Sequence, residues 1–252
     1  MTLEEKIWKS FNKALGQFQL IAEEDHILVG LSGGKDSLCL LEMLSRRSHI
    51  LKPRFTVEAV HIRMENISYE TSTDYLKNFC HHLGVTLHIV TTRFEEHALD
   101  SDNSQLLFLN SKFKPKPPCF LCSWYRRKQL FNLAQQLRCT KIALGHHQDD
   151  LLCTALMNLF YQGRFDTMPA LLHMRKMPLT IVRPLCMVAE ADIRLYAEQR
   201  GYEKQIRRCP YEHNTHRTAM ARLFEQIQQA NPEARCSLWR AIVSSGKLVQ
   251  ES

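Results

Sequence analysis

The apolar run Leu28-Val29-Gly30-Leu31 passes directly into Ser32-Gly33-Gly34-Lys35-Asp36-Ser37, and from Asp36 to about Arg47 the apolar residues Leu38, Leu41 and Leu44 recur at helical spacing. A strand, a tight turn and a helix in immediate succession constrain the fold more than any other stretch of the chain. Ser32, Gly33 and Gly34 carry little or no side-chain bulk, so the backbone can turn sharply and aim successive N–H groups at an anion. The helix that follows presents its positive dipole end to the same anion, and Lys35 adds a mobile positive charge. A Walker A loop requires a glycine, four spacers and then Gly-Lys-Ser/Thr. The loop here is shorter and places Asp36 and Ser37 after the lysine, so it is a phosphate cradle of another kind. A ligand-free glycine turn is the alternative reading of the same six residues.

Repetition of the strand–helix unit sets the fold class. His26–Leu31 reads as a strand, Phe55–Ile62 as a second, Tyr69–Leu83 as a helix and Thr86–Val90 as a third strand, with Gly84-Val85 between them. Arg126–Leu137 reads as a helix, Lys141–Leu144 as a strand, and Leu151–Phe160 as an apolar helix opened by Asp149-Asp150. This alternation predicts an α/β fold with a doubly wound, mainly parallel sheet that binds its ligand at the carboxyl ends of the strands. A leading helix is expected from Thr2 to about Leu20, with Thr2 and Glu5 as a capping box. Helices over Glu190–Gln199, Thr215–Gln229 and Leu238–Val243 suggest a small helical C-terminal annex. The expected organisation is therefore an N-terminal helix (1–25), an α/β nucleotide domain (26–188) and a helical C-terminal region (189–252). Phe94–Phe113 loses periodicity, and the basic, proline-broken stretch Lys112–Pro118 is expected as an exposed loop.

Of 252 residues, 44% are hydrophobic, ample for a buried core, and the formal charge of +7 exceeds what a nucleotide ligand alone would call for. Nucleic acid becomes a plausible anionic partner. The start shows no basic and apolar leader, and no segment reaches the length of a membrane span, so a cytoplasmic protein without membrane contact is expected. Nine cysteines, an odd number, then read as reduced thiols rather than a disulfide framework.

Two of those thiols stand three positions apart in Pro118-Cys119-Phe120-Leu121-Cys122, where both sulfurs can address one metal or cluster. The start of a helix also favours thiolates. No second Cys-x-x-Cys and no paired histidines complete a structural zinc site. Cys209, in the basic segment Arg207-Arg208-Cys209-Pro210, is the preferred third ligand. Cys39, Cys153 and Cys186 lie in apolar runs and read as structural, and Cys80, Cys139 and Cys236 are weaker candidates. Three thiolates suit an iron–sulfur cluster in which one iron stays open to exogenous sulfide. A redox dithiol at Cys119 and Cys122 fits the same spacing, and so do two ordinary cysteines. His61, at a strand end, is a candidate for contact with adenine. His146 and His147 read as supporting residues rather than ligands. Lys112, Lys114, Lys116, Arg126, Arg127, Arg207 and Arg208 flank the cysteine segments and are candidates for contact with RNA phosphates, with Trp124 and Tyr125 as stacking surfaces.

Ser32-Gly33-Gly34-Lys35-Asp36-Ser37 resembles the PP-loop of the ATP pyrophosphatases, which cut ATP to AMP and pyrophosphate while adenylating an acceptor. Together with Pro118-Cys119-Phe120-Leu121-Cys122-Ser123, Arg126-Arg127 and Ala143-Leu144-Gly145-His146-His147-Gln148-Asp149-Asp150, it resembles the TtcA-type tRNA 2-thiocytidine synthetases. The likeness runs on through Asn158-Leu159-Phe160-Tyr161, Met168-Pro169 and Val182-Arg183-Pro184-Leu185, from about residue 26 to 225. It departs at Cys209, which Pro210-Tyr211-Glu212 follows where the family commonly has a second Cys-x-x-Cys. The resemblance implies ATP and Mg2+, a [4Fe-4S] cluster on Cys119, Cys122 and Cys209, and sulfur replacing the C2 oxygen of cytidine 32 in tRNA. On that reading Ser32, Gly33, Gly34, Lys35, Asp36, Ser37, His61, Gly145 and Asp149 bind ATP, and Lys35, Asp36 and Asp150 act in catalysis. A sulfur donor such as a cysteine desulfurase is an expected partner, and a homodimer is left open. Two other readings remain: a PP-loop ligase for another acceptor, with structural cysteines, and a non-enzymatic iron–sulfur RNA-binding or redox protein.

Overall fold

Among the described residues seven strands form the main sheet, in the order β4-β2-β1-β5-β7-β6-β9. The structure, a computed structural model, describes residues 1–69, 72–93, 118–175, 177–204, 206–208 and 216–250. In chain order the elements are α1 (Leu3–Gln17), β1 (Asp25–Gly30), α2 (Lys35–Ser48), β2 (Phe55–Met64), β3 (Ser68–Tyr69), α3 (Asp74–His82) and β4 (Thr86–Thr92). There follow α4 (Pro118–Gln136), β5 (Lys141–Ala143), α5 (Gln148–Gln162), β6 (Leu171–His173), β7 (Thr180–Val182) and α6 (Glu190–Gln199). The last elements are β8 (Arg207–Arg208), α7 (His216–Ala230), α8 (Ala234–Ser244) and β9 (Val249–Gln250).

β1 pairs in parallel with β2 on one side and β5 on the other, β2 pairs in parallel with β4, and β5 with β7. Only β6 runs antiparallel to its neighbour β7 in this sheet. The chain thus builds outward from β1 in one direction and then returns to build in the other. That reversal leaves a crevice between the carboxyl ends of β1 and β5, the place where sheets of this kind take ligands.

Alternate β1 residues serve two cores, as the period of a strand requires. Ile27 and Val29 pack with α1, α2 and α5 residues such as Phe11, Leu41 and Leu152, while Leu28 packs with Leu130 and Ala134 of α4 and with Val60 and Ile142. Because α4 covers one face and the other helices the opposite one, the middle of β1, Ile27–Val29, is apolar on both faces rather than alternating. The larger core also takes in Ile7 and Phe11 of α1, Tyr196 of α6, Phe224 of α7 and Ile242 of α8. The Thr2–Glu5 capping box forms as the sequence suggests, with Glu5 N–H donating to Thr2 Oγ1 at 3.2 Å and Thr2 N–H to Glu5 Oε2 at 2.8 Å.

Several expectations need correction. The helix expected from Tyr69 starts at Asp74, because Ser68–Tyr69 is drawn into an antiparallel pair with Arg207–Arg208. The helix expected from Arg126 starts at Pro118, whose missing N–H costs nothing at a first helical position. The C-terminal region is not wholly helical, since β9 adds a parallel strand beside β6. The stretch Phe94–Pro117 lies outside the described residues. Among the described residues no helix is long and apolar enough to cross a membrane.

Candidate functional site

The cradle sits in the crevice at the end of β1. Leu31 N–H donates to Val60 O at 2.8 Å, extending the sheet one residue beyond β1 before the chain turns. Gly33 then takes a φ of 82°, a region that side-chain-bearing residues rarely occupy. Ser37 Oγ lies 2.9 Å from Gly34 O and 3.1 Å from Ser32 Oγ, and Gly34 N–H donates to Ser32 Oγ at 3.3 Å. These bonds hold the turn in shape before any anion arrives. Beneath it, buried His61 donates from Nδ1 to Leu31 O at 2.7 Å, since a carbonyl oxygen accepts only. Burial first, and then Arg126 and Arg63, lower the His61 pKa against that bond's upward pull. Through Nδ1 its side chain therefore braces the loop from below.

Gly145, at the end of β5, closes the other side of the crevice. A Cβ there would lie 3.1 Å from the backbone carbon and oxygen of Asp36 and 3.1 Å from Ser37 N, so only glycine lets the two segments approach this closely.

A chain of charges surrounds the cradle. Lys35 Nζ lies 3.1 Å from Asp36 Oδ1 and 3.0 Å from Glu190 Oε1, at the first residue of α6. Burial pulls the Lys35 pKa down, but the two carboxylates more than offset it and leave it raised. Asp149 accepts from Glu190 N–H at 2.8 Å and pairs with Arg235 of α8. Burial alone would raise the Asp149 pKa; Arg235 and the Glu190 N–H reverse that and hold it below the usual carboxylate range. Asp150 accepts from His147 N–H at 2.9 Å and pairs with Arg217 of α7. His147 Nε2 stands 3.6 Å from Asp150 and 3.9 Å from Asp36. Arg183, just past β7 and buried, donates to His146 Nδ1 at 3.3 Å.

The sequence-predicted residues Ser32, Gly33, Gly34, Lys35, Asp36, Ser37, Gly145, Asp149 and Asp150 thus share one crevice. Sequence reasoning missed Glu190, Arg217 and Arg235, which reach the site from separate helices and carry no local motif. Among the described residues no three His, Cys, Asp or Glu side chains form a ready-made metal cage. Mg2+ in phosphate chemistry needs only one or two carboxylates, because phosphates and water supply the rest. Asp36 Oδ1 suits that role: it is buried and accepts no hydrogen bond from any described residue, with the Lys35 ammonium as its close charge.

The cysteine-bearing turn of α4 lies over the carboxyl end of β2. Leu121 packs on Met64 and Ile67, with Cys122 and Tyr125 beside them. Ser68, next to Ile67, pairs through its backbone with Arg208, the residue before Cys209. Cys119 is placed by its backbone in the first turn of α4, while Cys209, Lys112, Lys114 and Lys116 lie outside the described residues. Cys122, a soft sulfur donor beside apolar Leu121, Met64 and Ile67 near a helix start, suits the donor chemistry of an iron–sulfur cluster. Arg127 is exposed on α4 and donates to Ser123 O at 3.2 Å, and Trp124 meets Tyr125 edge-on with ring centres 5.0 Å apart. Arg207 and Arg208 are set by backbone position in β8. Cys39 and Cys186 are buried with pKa values pushed up, chiefly by burial, as befits structural thiols. Cys153 is buried too, and Cys236 is exposed.

A family model described as a PP-loop domain matches residues 3–222. The tRNA-cytidine(32) 2-sulfurtransferase of Bordetella avium is 31% identical over 241 residues, covering 95% of this chain and 73% of the relative. The tRNA-cytidine(32) 2-sulfurtransferase 1 of Francisella tularensis is 32% identical over 245 residues, covering 95% of this chain and 86% of the relative. Among solved structures, the U34-tRNA thiolase NcsA from Methanococcus maripaludis, described with its [4Fe-4S] cluster, superimposes with a TM-score of 0.71 at 23% identity over 98% of this chain and 80% of that one. At that identity the likeness concerns the fold. With its cradle, crevice and sheet order in place, and matched along nearly its whole length, the chain belongs to the PP-loop family of the tRNA-cytidine(32) 2-sulfurtransferases.

Proposed function

We propose that this protein is an ATP-dependent tRNA sulfurtransferase that adenylates the C2 oxygen of a cytidine, at position 32, and replaces that oxygen with sulfur. One observation carries the reading. The phosphate cradle at the end of β1 and the cysteine turn over the end of β2 occupy the same carboxyl edge of the sheet, so activation and sulfur delivery have adjoining places. The names of the two bacterial relatives support the substrate.

In this reading the backbone N–H groups and hydroxyls of residues 32–37 hold the phosphates. Lys35 leaves Glu190 to neutralise the charge that develops on pyrophosphate. Asp36, with Asp149 or Asp150, positions Mg2+. The C2 oxygen attacks the α-phosphorus, pyrophosphate departs, and AMP makes that oxygen a feasible leaving group. Cys119, Cys122 and Cys209 would hold a [4Fe-4S] cluster, which when bound would supply an iron to carry sulfide. Lys114, Lys116, Arg126, Arg127, Arg207 and Arg208 follow the tRNA backbone, and a cysteine desulfurase is the class of protein that supplies the sulfur.

The test is anaerobic purification with iron, sulfide and zinc analysis of the native chain and of Cys119→Ala, Cys122→Ala and Cys209→Ala. Nucleoside mass spectrometry follows on tRNA incubated with ATP and sulfide. About four irons and four sulfides, lost in each variant, with 2-thiocytidine absent when position 32 is uridine, are expected. Zinc or no metal, with pyrophosphate released toward another acceptor, would point to a ligase instead.

A further inference from the structure

His146 follows Gly145 at the mouth of the crevice, and what touches its ring decides where its proton sits. Arg183 donates from Nε to His146 Nδ1 at 3.3 Å and from Nη1 to Pro169 O at 2.5 Å. Both bonds pin the side chain of Arg183, a residue only 7% exposed. A guanidinium N–H donates and never accepts, so Nδ1 must present a lone pair. The single ring proton then belongs on Nε2, and a second proton is excluded while the Arg183 bond stands. Nε2 makes no hydrogen bond with any described residue.

Arg183 beyond β7 contacts the ring, and Asp150 of α5, Arg217 of α7 and the neighbouring His147 act on it through their charges. Burial first, then Arg183, with Arg217 and His147 opposing the pull of Asp150, bring the His146 pKa down to about 4. The preceding residue already touches the cradle, since any Cβ on Gly145 would press on Asp36 and Ser37.

We infer that Arg183 is a positioning residue that locks His146 in its Nε2–H form, so that His146 offers a neutral hydrogen-bond donor to an oxygen of the triphosphate held by residues 32–37. The inference rests on the nucleotide reading above. A preorganised neutral donor stabilises charge that develops as the anhydride bond breaks, and it does so without exchanging a proton. Lys35 supplies full charge at the same cradle, and His146 adds direction.

Long-range proton–nitrogen correlation spectra of the native protein labelled with 15N-histidine, assigned by loss of the signal in His146→Gln, test this directly. His146 should carry its proton on Nε2 alone between about pH 5 and 8, and ATP at concentrations that calorimetry shows to be saturating should shift that nitrogen. A proton on Nδ1, or a charged ring near neutrality, overturns the inference. ATP that binds without moving Nε2 overturns it while leaving the nucleotide reading intact, and absence of ATP binding removes both. Turnover gives a second readout. His146→Gln places an amide N–H near Nε2 and should keep kcat within about tenfold, whereas His146→Asn, which mimics Nδ1, should lose about 10²–10³-fold in kcat with a smaller change in KM for ATP. Equal losses in the two variants refute the donor role. Arg183→Met should leave His146 as a mixture of forms; one unchanged form in a folded variant refutes the lock, and the native spectra stand whether or not it folds.

Discussion

Gly145 offers the sharpest test of how the site is built. A Cβ added there would stand 3.1 Å from the backbone carbon and oxygen of Asp36 and from Ser37 N, roughly half an ångström inside ordinary contact. The opposing atoms are backbone in the first turn of α2, so no side chain can swing aside; β5 and the cradle must part by a few tenths of an ångström. Overpacking of this kind costs about 1–3 kcal/mol. Alanine narrows the unfolded ensemble and returns about 0.4–1 kcal/mol, leaving a net loss of about 1–2 kcal/mol. For a chain of this length that lowers Tm by about 2–8 °C. The displaced cradle N–H groups should also weaken ATP by about fivefold, equivalent to about 1 kcal/mol of charge-assisted bonding. Thermal melting and calorimetry read the two effects. Gly16→Ala makes the same chemical change in α1 with nothing within 4 Å of the new methyl, and it should melt at or slightly above the native protein. If Gly145→Ala matches Gly16→Ala in both melting and ATP affinity, the close approach does not hold the cradle and the reasoning fails.

Three further outcomes follow from the charges. Glu190→Gln removes one of the two resting partners of Lys35, 3.0 Å away, and calorimetry should find ATP about two- to fivefold tighter, the worth of a partly exposed ion pair; equal or weaker binding means Glu190 does not compete with phosphate. Burial raises the Asp149 pKa, but Arg235 and the Glu190 N–H bring it below the ordinary value, so this carboxylate contributes stability that is full above an unfolded pKa of about 4 and is lost as pH falls through the lower folded value. Arg235→Ala should therefore be less stable at neutrality and flatten that acid loss in denaturation curves, and a stability gap as large at about pH 2 as at about pH 7 contradicts the linkage. Arg127→Ala should lower the slope of log affinity for tRNA against log salt by about 0.7–0.9 for each phosphate that Arg127 neutralises, and an unchanged slope removes Arg127 from the footprint.

The cradle was legible because its chemistry is local. Small residues at 32–34, a lysine and the start of a helix are contiguous, and their order alone dictates a turn that can wrap an anion. The strand–helix alternation was legible for the same reason: each element carries its own period, and β1, β2 and β4 are long enough to show it. β6, β7, β8 and β9 have only two or three residues each, too few for a period, and exist because a partner strand supplies the hydrogen bonds. β8 also took Ser68–Tyr69 from the helix expected there, a pairing that no window of neighbouring residues could show.

The rest of the site belongs to tertiary structure. Glu190, Arg217 and Arg235 look like ordinary surface charges in sequence, and the chain holds 33 lysines and arginines from which to choose. Packing of α6, α7 and α8 on the common core selects which of them reach Lys35, Asp149 and Asp150. Arg183 stood in a recognisable segment, yet its bond to His146 required β5 and β7 to pair side by side. By itself the sequence determined the cradle, the cysteine pair and the alternation that makes a parallel sheet, because each depends on neighbours along the chain. The partners of Lys35, Asp149 and Asp150 depend on distances across the fold, and only the packed structure decided them.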